Sequence, residues 1–92
     1  MSESLRPDTQ SRSTSVLLVT GHDWFASALQ AVLEPEGFAF ARVRSARLAV
    51  RDSRLVNPEI VIIGENLPDM KVPELSRALR SAGLRDSVPI LV

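Results

Sequence analysis

The chain has 92 residues, no cysteine, 45% hydrophobic residues and eleven basic against eleven acidic side chains, so its formal net charge is zero. That length holds one domain of ordinary globular composition, and the charge balance removes any global field toward nucleic acid or an anionic membrane surface. Without cysteine there are no disulfides, thiolate metal sites or thiol nucleophiles, a composition that fits a reducing compartment and reads as cytoplasmic.

Residues Met1 to Ser15 are mostly Ser, Thr, Arg, Gln, Glu, Asp and Pro, with Leu5 the only large apolar side chain after Met1. Such a segment cannot offset the entropy of its own ordering, so 1–15 reads as a disordered tail ahead of a domain over 16–92. It lacks the apolar stretch of a signal peptide, and Glu3 and Asp8 count against a transit peptide. No later run approaches the roughly 20 apolar residues of a membrane helix. Neither insertion nor export is expected.

The first apolar run, Val16-Leu17-Leu18-Val19, is short and unbroken, as are Ile60 to Ile63 and Ile90-Leu91-Val92. Such runs suit strands buried on both faces of a parallel sheet. Phe25, Ala28, Leu29, Val32 and Leu33 recur at i, i+3, i+4, i+7 and i+8, which predicts one face of a helix packed on that sheet. Asp23 is placed to cap its start, and Pro35 and Gly37 mark its end. From Phe38 to Val43 rings alternate with methyls, Phe38 and Phe40 against Ala39 and Ala41, the pattern of a strand with unequal faces at a sheet edge. A second helix starts near Ser45, turns Ala46, Ala49, Val50 and Ser53 inward, and ends at Asn57-Pro58. A third begins near Pro73, carries the stripe Leu75, Ala78, Leu79 and Ala82, and stops at Gly83.

The resulting order, β-α-β-α-β-α-β with no internal repeat, implies right-handed crossovers and an α/β doubly wound parallel sheet with helices on both faces. In the flavodoxin-like form of that topology the functional crevice lies outside the carboxyl ends of the strands, here at Thr20 to Asp23 and Gly64 to Val72.

Five segments occur in a telling order and spacing: Leu33-Glu34-Pro35-Glu36-Gly37-Phe38, Pro58-Glu59-Ile60-Val61-Ile62-Ile63, Leu67-Pro68-Asp69-Met70, Leu75 to Gly83, and Val88-Pro89-Ile90. They are similar, in turn, to the end of the first helix, the third strand, the loop after the phosphorylation site, the third helix and the fourth strand of response-regulator receiver domains. From Val16 to Val92 the chain resembles that family without a gap. The resemblance implies a flavodoxin-like sheet of strand order 2-1-3-4, incomplete because the family's fourth helix, fifth strand and fifth helix would follow Val92.

A working receiver takes a phosphoryl group from a histidine kinase onto an aspartate at the end of its third strand. Magnesium is held there by that aspartate and an acidic pair after the first strand. A hard divalent cation needs carboxylate oxygens, and an acyl phosphate needs a carboxylate nucleophile. Carried over, the acidic pair falls on Thr20 and Gly21 and the acceptor on Gly64. All three carboxylates are replaced, so the resemblance is to a degenerate pseudo-receiver with no catalytic residue, no magnesium and no other cofactor. Val72 stands where a glycine commonly follows the acceptor loop, and the family's remaining catalytic hydroxyl and lysine would lie past Val92.

Other chemistry is sparse. Glu65, one residue beyond Gly64, points to the opposite face of a continuing strand and is a poor substitute acceptor. Asp69 reads as a turn residue beyond Pro68, Asp23 as a cap, and His22, the only histidine, as an exposed loop residue. The turn Thr20-Gly21-His22-Asp23 leads into a helix, but one glycine is no phosphate loop and Asp23 repels an anion there. Arg47, Arg51 and Arg54 share one side of the second helix, with Arg42 and Arg44 on the preceding strand and only Asp52 in opposition. No aromatic residue interleaves with them to stack bases, so they read as a solvated face ahead of a nucleic-acid contact. Leu48 and Leu55 lie opposite that helix's inner face and join Arg47, Arg51 and Arg54 as candidate partner-binding residues.

The leading expectation is a non-enzymatic signalling module of receiver type, not phosphorylated, that acts by contact with a protein partner such as a histidine kinase or an attached output domain. One alternative is a phosphorelay receiver that uses a displaced acid such as Asp69. Another is nucleic-acid contact through the arginine stripe. Because the incomplete sheet makes Ile90 to Val92 an edge strand and uncovers the face beside the first helix, over Val16 to Val19 and Ile60 to Ile63, self-association is also expected.

Overall fold

The computed structural model describes residues 14–64 and 67–92. Strands β1 (Ser15–Val19), β2 (Ala39–Val43), β3 (Ile60–Ile63) and β4 (Ile90–Leu91) form one parallel sheet in the order β2-β1-β3-β4. Helices α1 (Asp23–Leu33), α2 (Ala46–Val56) and α3 (Val72–Ser81) make the crossovers. The expected element order and the order 2-1-3-4 are both observed.

Two side-chain sets separate along the strands because successive residues point to opposite faces. Leu17, Val19, Val43, Val61 and Ile63 join Ala46 and Ala49 of α2 and Leu75 and Leu79 of α3 in the main core, closed below by Leu84 and Val88. On the other face, Val16, Leu18 and Thr20 are buried beneath α1. The sheet is thus covered fully by two helices on one side and partly by one on the other.

Local chemistry explains the helix limits. The hydroxyl of Ser45 accepts from the Leu48 N–H at 3.2 Å to start α2. Asn57, in the left-handed region at φ 51°, ends it just before buried Pro58. Gly37, at φ 94°, closes the short 3-10 turn Glu34–Glu36 that follows α1. The Lys71 N–H donates to the Glu74 carboxylate at 3.2 Å to open α3, whose predicted stripe buries Leu75 and Leu79 and half-buries Ala78 and Ala82.

Four expectations need correction. The tail boundary moves, since Ser15 is in β1 and the Thr14 carbonyl accepts from the Ala39 N–H at 2.8 Å; the rest of the expected tail, residues 1–13, lies outside the described residues. In α1 the buried residue is Ala26, while Phe25, Leu29 and Leu33 are half-buried and Ala28 and Val32 are exposed. That helix has the sheet beneath it but no helix beside it among the described elements, so only the narrow strip aimed at the sheet is covered. Asp23 is the first residue of the helix rather than its cap, with His22 in the capping position. Finally, Val16 to Val19 are all buried, as are Val61 and Ile63, so uncovering is confined to half-buried Ile60 and Ile62 and to the edge.

Candidate functional site

At the carboxyl ends of β1 and β3 the structure brings together Thr20 and Gly64, two of the three family positions. The ladder runs one residue past the strands here: the Gly64 N–H donates to the Val19 carbonyl at 2.8 Å, and the Thr20 N–H to the Val43 carbonyl at 3.0 Å. Thr20 is fully buried, and its hydroxyl oxygen accepts from the His22 N–H at 3.1 Å. A Cβ on residue 64 would stand 2.8 Å from that oxygen and 3.0 Å from the Thr20 Cβ. The threonine therefore fills the space where a side chain at 64 would begin. Gly21, in contrast, is exposed, and a Cβ there meets nothing closer than the Arg44 carbonyl at 3.9 Å.

Beside this pair sits a cationic clamp that sequence spacing did not reveal. Arg42, largely buried on the α1 face of β2, donates through Nε to the Thr20 carbonyl at 3.0 Å and pairs with Asp23 at 3.0 Å. Arg44 reaches the same carboxylate at 2.7 Å. The guanidinium of Arg42, then that of Arg44, holds the Asp23 carboxyl below its ordinary range. A carboxylate so engaged pins the β1–α1 turn against β2. Above lies an open, mainly apolar cavity of about 470 Å³ that Thr20, Gly64 and His22 share with Trp24, Phe25, Ile62 and Leu91. Among the described residues no three His, Asp or Glu side chains converge as a metal cluster.

Asp69 turns out to have a structural role. Its two carboxylate oxygens accept from the Ala46 and Arg47 N–H groups, each at 3.0 Å, and so dock the loop after β3 onto the first turn of α2. The bonds from Arg47 and then Ala46 hold its carboxyl below the ordinary range. A plain turn residue, as the sequence suggests, would leave those N–H groups to water.

The arginine stripe is more neutralised than expected. Asp23 opposes Arg42 and Arg44, and Arg51 pairs with its neighbour Asp52 at 2.7 Å. Arg54 donates to the Ala82 carbonyl at 3.0 Å, tying α2 to the end of α3. Asp23 lies 19 and 21 positions from Arg42 and Arg44, and Ala82 lies 28 from Arg54, too far for helical spacing to show. Leu48 is half-buried against the core rather than fully outward, whereas Leu55 is 81% exposed. Of the five candidate partner-binding residues, Arg47, Leu48 and Arg51 line one groove with Ser45, Pro68 and Asp69, while Arg54 lies apart.

No family model matches the sequence, and no curated protein matches it. Solved structures do. The chemotaxis response regulator CheY4 of Vibrio cholerae superposes with a TM-score of 0.79 at 20% identity, over 85% of this chain and 65% of that one. The fold is that of a receiver domain. A CheY-like response regulator receiver domain from Methylobacillus flagellatus gives a TM-score of 0.76 at 24% identity, over 85% of this chain and 66% of that one. The pseudo-receiver domain of the CikA protein gives 0.66 at 20% identity, over 86% and 66%. The chain thus spans about two thirds of the length of these receiver-fold chains.

Proposed function

We propose that this domain is a regulatory signalling module of the receiver type that accepts no phosphoryl group, is not an enzyme, and acts by protein contact. The observation that carries the reading is the buried Thr20 side chain packed into the place beside Gly64. An acceptor needs a carboxylate there, and its metal needs further carboxylate oxygens; the chain supplies a hydroxyl already bonded to its own backbone and two glycines. The residues at the mapped positions do not fit magnesium. Asp69 is a poor substitute because both of its oxygens already accept backbone N–H groups. The neutral overall charge likewise favours a protein partner over nucleic acid. No helix among the described residues is long and apolar enough to cross a membrane, and with the absence of cysteine this supports work in the cytoplasm.

The test is incubation with acetyl phosphate and magnesium followed by intact mass, with beryllium fluoride titration in parallel. Trp24 lines the same cavity as Thr20 and Gly64, so its fluorescence reports occupancy of the site. The expected results are an unchanged mass and a flat titration. A stable adduct of one phosphoryl group, or magnesium-dependent quenching that saturates with beryllium fluoride, overturns the reading.

A further inference from the structure

The groove between α2 and the loop after β3 has the build of a docking site, and among the described residues it shares no lining residue with the cavity over the Thr20–Gly64 pair. It measures about 550 Å³ and is lined by Ser45, Arg47, Leu48, Arg51, Pro68 and Asp69. Its lining is mainly apolar, with Leu48 on α2 facing Pro68 on the loop. Leu48 rests against the core, so that wall is fixed rather than adaptable.

The charges around it do not cancel locally. Asp69 is the only acid among the described residues of the lining, and the Ala46 and Arg47 N–H groups compensate its carboxylate. Arg47 is exposed and has no ion pair among the described residues. Arg51 pairs only with Asp52, its chain neighbour, and remains 67% exposed. An exposed pair of that kind contributes little and exchanges readily for a better anion. Arg47 and Arg51 are one helical turn apart, so their guanidinium groups share a face on the rim above the apolar wall.

We propose that this groove docks a segment of a partner protein in which carboxylates alternate with aliphatic side chains. Arginine suits carboxylate through paired N–H donors, while Leu48 and Pro68 take the aliphatic group. A protein segment fits better than a nucleic acid because none of the described residues that line the groove is an aromatic that could stack a base. Asp69 is a positioning residue: its two bonds hold the Pro68 wall in place. The inference rests on the reading of the domain as a contact module, and names where the contact is made.

The probe is a blocked peptide, acetyl-Gly-Glu-Glu-Leu-Leu-Glu-Glu-Leu-Leu-Gly-amide, which in extended form alternates Glu and Leu along each face. Amide shifts of the folded chain are followed by NMR against this peptide, its Glu-to-Lys and Leu-to-Ser analogues, and a thymidine octanucleotide. The expected result is saturable shifts at Arg47, Leu48, Arg51 and Asp69 with the first peptide alone. Binding should weaken by about tenfold or more in Arg47→Glu, an exposed change that leaves the core intact. Asp69→Asn should also weaken it while Arg47 and Arg51 are both retained. The proposal is overturned if no peptide shifts these amides at millimolar concentration, if the Lys analogue binds as well, if Arg47→Glu binds unchanged, or if the oligonucleotide binds at these amides instead. None of these outcomes bears on the Thr20–Gly64 pair, and a phosphoryl adduct at any residue other than Asp69 would leave the groove result standing, so the two readings fail separately.

Discussion

Gly64 has room for a hydrogen and little more. With Thr20 Oγ1 at 2.8 Å from any added Cβ, Gly64→Ala should overpack the top of β3 and destabilise the domain by about 1–3 kcal/mol. Thr20→Ala removes the nearest atom, so the double variant should recover at least about 0.5 kcal/mol beyond additivity. Denaturant unfolding of the four proteins measures this; strict additivity would mean that the threonine does not fill the site. The same geometry argues that Gly64→Asp alone restores no phosphorylation, since the new carboxylate must first displace a buried side chain. The sequence shows that Thr20 and Gly64 stand where carboxylates belong, because that follows from counting along a motif. That Thr20 excludes a side chain at 64, and that Asp23 is held by Arg42 and Arg44 rather than capping α1, depends on strands brought side by side, which no local spacing encodes.

At the scale of elements, Asp69 links two segments that the chain keeps 23 positions apart. Its folded carboxyl sits below the ordinary value of 3.8, chiefly through the Arg47 N–H and then the Ala46 N–H. A depressed folded value means that the bond's stabilisation is complete above the unfolded value and is lost as pH falls through the folded one. Asp69→Asn should therefore be less stable than the parent at neutral pH, and the gap should close as pH drops below about 3.8, toward the folded value. Urea midpoints of both proteins across that range check it; a gap constant into the acid limb would show that the charge on Asp69 contributes nothing. Helix faces were legible where packing is two-sided. Of the α2 stripe, Ala46, Ala49 and Ser53 are buried and Val50 is half-buried, and the α3 pair Leu75 and Leu79 is buried as its periodicity predicts. The α1 stripe is only partly covered because periodicity gives the direction of an apolar face and not the width of what lies opposite.

For the whole molecule, the consequence of uneven cover is an apolar rim along one side of the sheet. Trp24 is 74% exposed, Val32 64%, Leu91 51% and Val92 74%, and between Trp24 and Leu91 lies the open cavity of about 470 Å³. Leu91 stands on β4, whose outer edge has no paired strand among the described residues, and flat apolar edges recruit further strands. A domain of this size has little core to spare, and closing two such rims against each other would bury both apolar surfaces in one isologous interface. The 92-residue chain should therefore sediment as a reversible self-associating species at micromolar concentration. Leu91→Lys places a charge on the edge without removing a buried side chain, so it should shift the population to monomer while leaving cooperative unfolding intact. A parent chain that stays monomeric and unfolds cooperatively across that concentration range would show that α1 alone covers its face well enough. A Leu91→Lys chain that associates as strongly as the parent would place the interface elsewhere.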